Sequence, residues 1–341
     1  MRSPATLPDA LSQGPFSRLN ARRAGLDDNR LRRSDLSAPF CGVRVPADAL
    51  PGGVLDRCRS YSVRLRPGQF FSHDTAARLW MMPTGDARDL QSPQLHVSAL
   101  TGIASAPTAR SIRGHDVCDR SVDVHDRFGL PVSDVVSTWL HVGTSWAVRD
   151  LVAAGDAIVY APRYPKAGDE RPFTTIVELQ KRLAAHRGRG KRRLLSALEL
   201  VREGVESPME THLRHLIRWS GLPEPSINVD ISDDAGRFLG RADLYYPRYG
   251  IVVEYDGDHH RRSRAVYAAD QQRIADLRDN GQVVVRVMIE GLRGETHRTV
   301  ALVRKELLAA GWRPTPLPPV IHPPKPVGIR ARYRQKTVDR R

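Results

Sequence analysis

The chain has 341 residues, enough at roughly 150 per domain for about two domains with sizeable cores, and so excludes a peptide or pure linker. Its 53 Lys and Arg against 38 Asp and Glu give a formal charge of +15 and a pI near 10.3, which selects polyanionic partners and excludes cationic substrates. Cys41, Cys58 and Cys118 stand far apart, so a disulfide framework and a Cys-x-x-Cys zinc site are both excluded.

No run approaches the roughly 18 apolar residues that span a bilayer, and the first residues, MRSPATLPDALSQGP, lack the apolar core of a secretion signal. The expectation is a cytoplasmic α/β protein whose polyanion is DNA, with no membrane partner.

In chain order, the first pattern is helix, turn, helix and a short apolar ribbon over 15–50. Ser17 caps a helix that runs to Ala24, Gly25 makes the turn, and Asp27 caps a second helix, DDNRLRRSDL, with Leu31 facing inward. The ribbon FCGVRV at 40–45 reads as a β wing. In such a layout Asn29, Arg30, Arg32 and Arg33 project from the second helix toward a DNA groove. An Arg-rich amphipathic helix with a solvated face has the same pattern.

This stretch, together with FSHDTAARLW at 71–80 and GLPVSD at 129–134, resembles the winged-helix antitoxin proteins of abortive-infection type IV toxin–antitoxin systems. The resemblance covers about the first 180 residues. It implies a DNA-binding winged helix followed by a middle α/β region over 51–185. His73, Asp74, His96 and His115 lie in that region, but no two of these histidines have the i, i+4 spacing of helical metal ligands, and they read as structural or surface residues. AHRGRGKRR at 185–193 opens a basic linker expected over 186–204.

The segment 205–312 predicts helix, three strands, helix, strand, helix. Ser207 caps the first helix with Pro208 in its first turn, and Met209, Leu213, Leu216 and Ile217 form its apolar stripe. PRYG at 247–250 turns a strand ending at Tyr246 into IVVEYDG. A hairpin centred between Arg248 and Tyr249 sets Asp243 directly across from Glu254, and strand alternation puts Asp256 on the same face.

Facing like charges cost a sheet up to about 1 kcal/mol per pair, a penalty that a divalent cation removes. Carboxylate oxygens suit Mg²⁺ (or Mn²⁺), and with the basic surface they suggest metal-assisted phosphodiester hydrolysis. A helix from Ser263 to Asn280-Gly281 then crosses to the strand VVVRV.

The order of a helix glutamate, Asp243, E-x-D at 254–256, G-x-H-H at 257–260 and D-x-x-R at 270–273 resembles a restriction-endonuclease-like domain of unknown function. That domain is related to very-short-patch repair endonucleases in the PD-(D/E)xK superfamily. The resemblance implies an αβββαβ core, with Asp243 and Glu254 as metal carboxylates, the Tyr255 carbonyl as a further ligand and Glu210 as an auxiliary acid. It also implies His259 or His260 for proton transfer or phosphate contact, and Arg261, Arg262 and Arg273 as contacts to DNA.

One departure is that Asp256 stands where the superfamily has its lysine, which leaves His260, Arg262 or Arg273 for the electrostatic part. Glu210 also fits a capping box, Asp270 with Arg273 an i, i+3 ion pair, and the strand acids could be bridged to arginines such as Arg241. Beyond Trp312 the chain is proline-rich, then basic, and reads as a disordered tail over 313–341.

Two functions remain in view. The first is a DNA-binding endonuclease dependent on Mg²⁺, with a homodimer needed to cut both strands at once. The second is a non-catalytic, antitoxin-like regulator that retains a degenerate endonuclease fold.

Overall fold

A computed structural model describes residues 5–47, 52–84, 94–257 and 264–314. Within them the chain is α/β, with helices packed on three separate sheets. No helix among the described residues is long and apolar enough to cross a membrane. The tail at 315–341 lies outside the described residues.

The first sheet has the order β1-β3-β2, from β1 (Phe16–Ser17), β2 (Leu36–Ser37) and β3 (Val43–Pro46). After the single turn α1 (Asp9–Ser12), Ser17 caps α2 (Arg18–Arg23) by accepting from the Asn20 N–H at 3.1 Å. The expected second helix is replaced by one 3₁₀ turn, Arg30–Arg32, capped by Asp27 through the Arg30 N–H. Leu31 is buried there as expected, but Arg30 is turned inward as well.

β3 does not stand out as a free wing, because Val43 and Val45 belong to the core of the middle unit. The first and second units therefore share apolar packing.

The middle unit is a five-stranded sheet of order β6-β5-β4-β8-β7, from β4 (Gln69–Phe71), β5 (Leu95–Leu100), β6 (Ile112–Val117), β7 (Val124–Arg127) and β8 (Leu130–Ser133). Around it lie α3 (Val54–Ser62), α4 (His73–Leu79), α5 (Val135–Val142), α6 (Val148–Val159), α7 (Ile176–Ala185) and α8 (Lys191–Leu198). Helix α8 falls inside the segment expected to be a basic linker. Leu194 and Ala197 drop fully into the middle core while the basic residues face outward, so an amphipathic helix occupies that charge run.

The third unit follows the expected order with one short helix added after its last strand: α9 (Pro208–Trp219), β9 (Ser226–Ser232), β10 (Phe238–Tyr246), β11 (Ile251–Tyr255), α10 (Arg264–Asp279), β12 (Val283–Val287), the added α11 (Ile289–Arg293) and α12 (Thr296–Ala309). The sheet order is β12-β11-β10-β9, with β11 and β12 parallel across the α10 crossover. Leu213 and Ile217 of α9 and Val303 and Leu307 of α12 pack against Leu244, Val253, Val285 and Val287 on one face. Leu277 of α10 packs against Val252 on the other.

α9 buries more than the single stripe its sequence predicts. Thr211, Arg214 and His215 are also buried, because this side of the helix meets the middle unit. Arg214 pairs with Asp156 of α6 at 3.1 Å with both side chains almost wholly enclosed, and Thr211 donates to the same carboxylate at 2.7 Å. This buried pair joins the two units.

Candidate functional site

The hairpin of β10 and β11 pairs Leu244 with Val253, Tyr245 with Val252 and Tyr246 with Ile251, the register expected from the PRYG turn. One step further toward the open end stand Asp243 and Glu254. Their proximity is fixed by the Tyr255 backbone N–H, which donates to Asp243 Oδ2 at 2.9 Å. Val253 points into one core and Val252 lies with Leu277 of α10, so alternation turns Glu254 to the face carrying α10.

Glu210 approaches from the first turn of α9 and is buried. Its amide N–H donates to Ser207 Oγ, and its carboxylate accepts from Asn228 Nδ2 at 2.7 Å and from the Glu206 N–H at 3.0 Å. The residue therefore serves the helix terminus and also bears electrostatically on Asp243.

Burial is the main cause that pushes the Asp243 carboxyl up to about 7, followed by the charge of Glu210, with Glu254 adding to it. The Tyr255 N–H and Arg273 act in the opposite direction without cancelling the effect. Burial also raises Glu210, against its hydrogen bonds from Ser207 and Asn228. Asp243 thus sits where added positive charge is favoured.

Two arginines already supply part of that charge. Arg273 of α10 holds Glu254 through both oxygens and reaches Asp270 at 2.8 Å, and its own pKa is raised chiefly by the Glu254 hydrogen bond. Gly240 makes this possible: a Cβ there would stand 2.9 Å from Arg273 Cγ, so only glycine lets the arginine stem cross β10 so closely. Arg286 of β12 pairs with Asp256 at 2.8 Å and with Asp270 at 3.2 Å.

The Asp270–Arg273 ion pair expected from spacing is present, but as one link in a longer chain of charges. Arg241 binds Glu206 and Asp230 rather than the hairpin acids. Sequence reasoning missed Arg286, whose signal was a lone charge in the strand VVVRV.

Of the other expected site residues, His259, His260, Arg261 and Arg262 lie outside the described residues. Asn29, Arg32 and Arg33 are exposed. Arg30 does not project toward a groove: it is buried, donates to the Ala5 carbonyl at 2.8 Å and forms a two-pronged pair with Asp35. Its guanidinium closes the first unit instead of facing solvent.

A second constellation lies in the middle unit, among residues expected to be merely structural or at the surface. His73 opens α4, while His96 and His115 project from the adjacent parallel strands β5 and β6. One ligand atom from each of the three lies within 4.8 Å of the others, so the trio is spaced to hold a metal ion. Among the described residues it is the sole group of three or more His, Cys, Asp or Glu with this spacing, a test that the hairpin acids do not meet.

His115 Nε2 lies 3.1 Å from His96 Nδ1, and the His73 ring stacks on His115 at 3.7 Å and on His141 of α5 at 4.6 Å. Asp74 Oδ2 lies 3.6 Å from His96 Nδ1. Burial drives all four imidazoles toward neutrality, with His115 and His141 pushed down to about 4 and His73 and His96 also lowered. Neutral imidazole is the form that ligates metal. The i, i+4 test overlooks this trio because its members come from three elements.

No family model matches the chain. It is similar to two uncharacterised proteins of Mycobacterium tuberculosis, from strains CDC 1551 / Oshkosh and H37Rv, each 29% identical over 133 residues. The match covers 38% of this chain and 48% of each relative, so the chain spans about half the length of the curated relatives it matches.

Proposed function

We propose that the chain is a DNA-binding protein whose third unit hydrolyses phosphodiester bonds with a divalent cation at Asp243 and Glu254. The observation that carries this reading is the close pair of acids on the β10–β11 hairpin, with the Tyr255 N–H on Asp243 and the Asp243 carboxyl pushed up to about 7 by burial and the Glu210 charge. Carboxylate oxygens of this kind match Mg²⁺ or Mn²⁺, and the Tyr255 carbonyl is the adjacent backbone oxygen. When bound, the ion supplies Lewis-acid activation of water and offsets charge on the leaving oxygen.

The chain's own residues do the rest. Asp243 and Glu254 bind and orient, Glu210 adds negative charge beside Asp243, and Arg273 and Arg286 offer guanidinium groups in place of the lysine whose position Asp256 takes. Such groups suit a phosphate developing negative charge. The +15 charge of the chain brings the polyanion to the site.

A second reading is a DNA-binding regulator without catalysis. It is favoured by the ion pairs themselves: Arg273 occupies both Glu254 oxygens, and Asp256, at the lysine position, is neutralised by Arg286. Incubation of the full chain with supercoiled plasmid in Mg²⁺, Mn²⁺ or EDTA separates the two. Metal-dependent nicking supports the enzyme, and binding without cleavage in all three conditions supports the regulator.

A further inference from the structure

We propose that His73, His96 and His115 form a zinc site in the middle unit, with the Asp74 carboxylate adding negative charge beside His96 Nδ1, apart from the hairpin acids. The three ligands converge from three elements, the start of α4 and the neighbouring strands β5 and β6, where no helical spacing rule operates. Their ligand atoms lie within 4.8 Å of one another. Nitrogens on one tetrahedral zinc ion stand about 3.3 Å apart, given bonds of about 2.0–2.1 Å, so small rotations of the rings close the site.

The surroundings are built to hold these rings. His73 Nδ1 lies 3.0 Å from Ser72 Oγ, which accepts from Ser98 Oγ at 2.6 Å, and both serines are fully buried. This uses Nδ1 of His73 and leaves Nε2 for an ion. Trp146 Nε1 donates to Asp74 at 2.7 Å and holds the other carboxylate oxygen toward His96. Asp74 and His115 meet the same nitrogen, His96 Nδ1, so the carboxylate sets negative charge beside the cation site.

Glycine at 114, between Arg113 and His115 on β6, lets the Pro107 carbonyl approach within 2.2 Å of where a Cβ would stand, so the strand bearing His115 is tightly seated. The ligand set selects the metal. Three imidazoles favour Zn²⁺ or another borderline transition metal over Mg²⁺, which takes oxygen.

The test uses the full chain, dialysed against zinc and then freed of excess. The expected result is about one zinc per chain by elemental analysis, with at least about tenfold weaker binding in His96→Ala and His115→Ala. Glu254→Gln should keep its zinc, since its site is elsewhere. Co²⁺ should give visible absorption bands in the native chain, and X-ray absorption on the zinc-loaded native chain should show imidazole scattering. These two readouts need no variant to fold. Absence of stoichiometric zinc from the folded native chain, or binding equal in native and histidine variants, would overturn the site.

Discussion

Arg273 on α10 grips both oxygens of Glu254 on β11, at 2.6 and 2.9 Å. Under the proposed function this relationship decides how the hairpin behaves, because a cation bound there would share one carboxylate with the guanidinium. It also explains how a buried Glu254 is tolerated in the absence of an ion.

Replacing Arg273 with Ala should therefore strand Glu254 in the interior and cost about 2–3 kcal/mol of stability without metal. Mg²⁺ should then raise Tm more in the variant than in the native chain, since the ion no longer competes with the arginine. Thermal unfolding with and without Mg²⁺ checks both parts. An equal Mg²⁺ response in the two chains would mean that Glu254 takes no part in binding.

Asp243→Asn removes the enclosed negative charge but keeps an oxygen to accept from the Tyr255 N–H. An acid whose carboxyl is raised by burial and neighbouring like charge costs stability when ionised, so the variant should be more stable than the native chain by about 1–2 kcal/mol in EDTA. Urea unfolding measures it. A destabilised variant would show that Asp243 acts as a structural acid.

His215 offers a pH test away from both constellations. It is buried, rests against Trp219 with ring centroids 5.0 Å apart, and neither ring nitrogen has a hydrogen-bond partner among the described residues. Burial, then the Arg214 charge, pushes it down to about 3. A histidine depressed in the folded state stays neutral there while the unfolded chain takes up a proton near pH 6.5. Its contribution is complete above pH 6.5 and is lost as pH falls toward about 3. His215→Phe should leave stability at pH 7 unchanged or improved and flatten the decline between pH 6.5 and 4. An unchanged slope in acid unfolding would assign that decline to the other buried histidines.

DNA affinity should fall steeply with salt, by release of counterions. The residues after Trp312 carry eight Lys and Arg against one Asp, so their deletion should flatten the slope of log affinity against log salt. Fluorescence anisotropy with a labelled duplex measures it, and salt-independent binding would contradict an electrostatic interface.

The third unit was legible because its signals are local. Period-two alternation around Asp243 and Glu254, the PRYG turn and the Ser207-Pro208 cap each act over a few residues, and the observed register follows from them. Arg286 and Gly240 were not legible, since their partners Asp256 and Arg273 come together only when α10 crosses the sheet. The same reason hid the histidine trio, where β5 and β6 bring His96 and His115 together across 19 positions. Arg30 misled for the opposite reason. An arginine in a basic run reads as solvated, yet Asp35 and the Ala5 carbonyl offered it an enclosed set of acceptors.

The central claim is that Asp243 and Glu254 cut DNA, and matched binding and cleavage on one preparation tests it most directly. Native chain, Asp243→Asn and Glu254→Gln are compared by anisotropy on one duplex and by nicking of supercoiled plasmid in Mg²⁺ and in EDTA. The account predicts similar affinity for all three, with nicking confined to the native chain in Mg²⁺. Nicking that survives in both variants, or a native chain that binds tightly and never cuts, would contradict it.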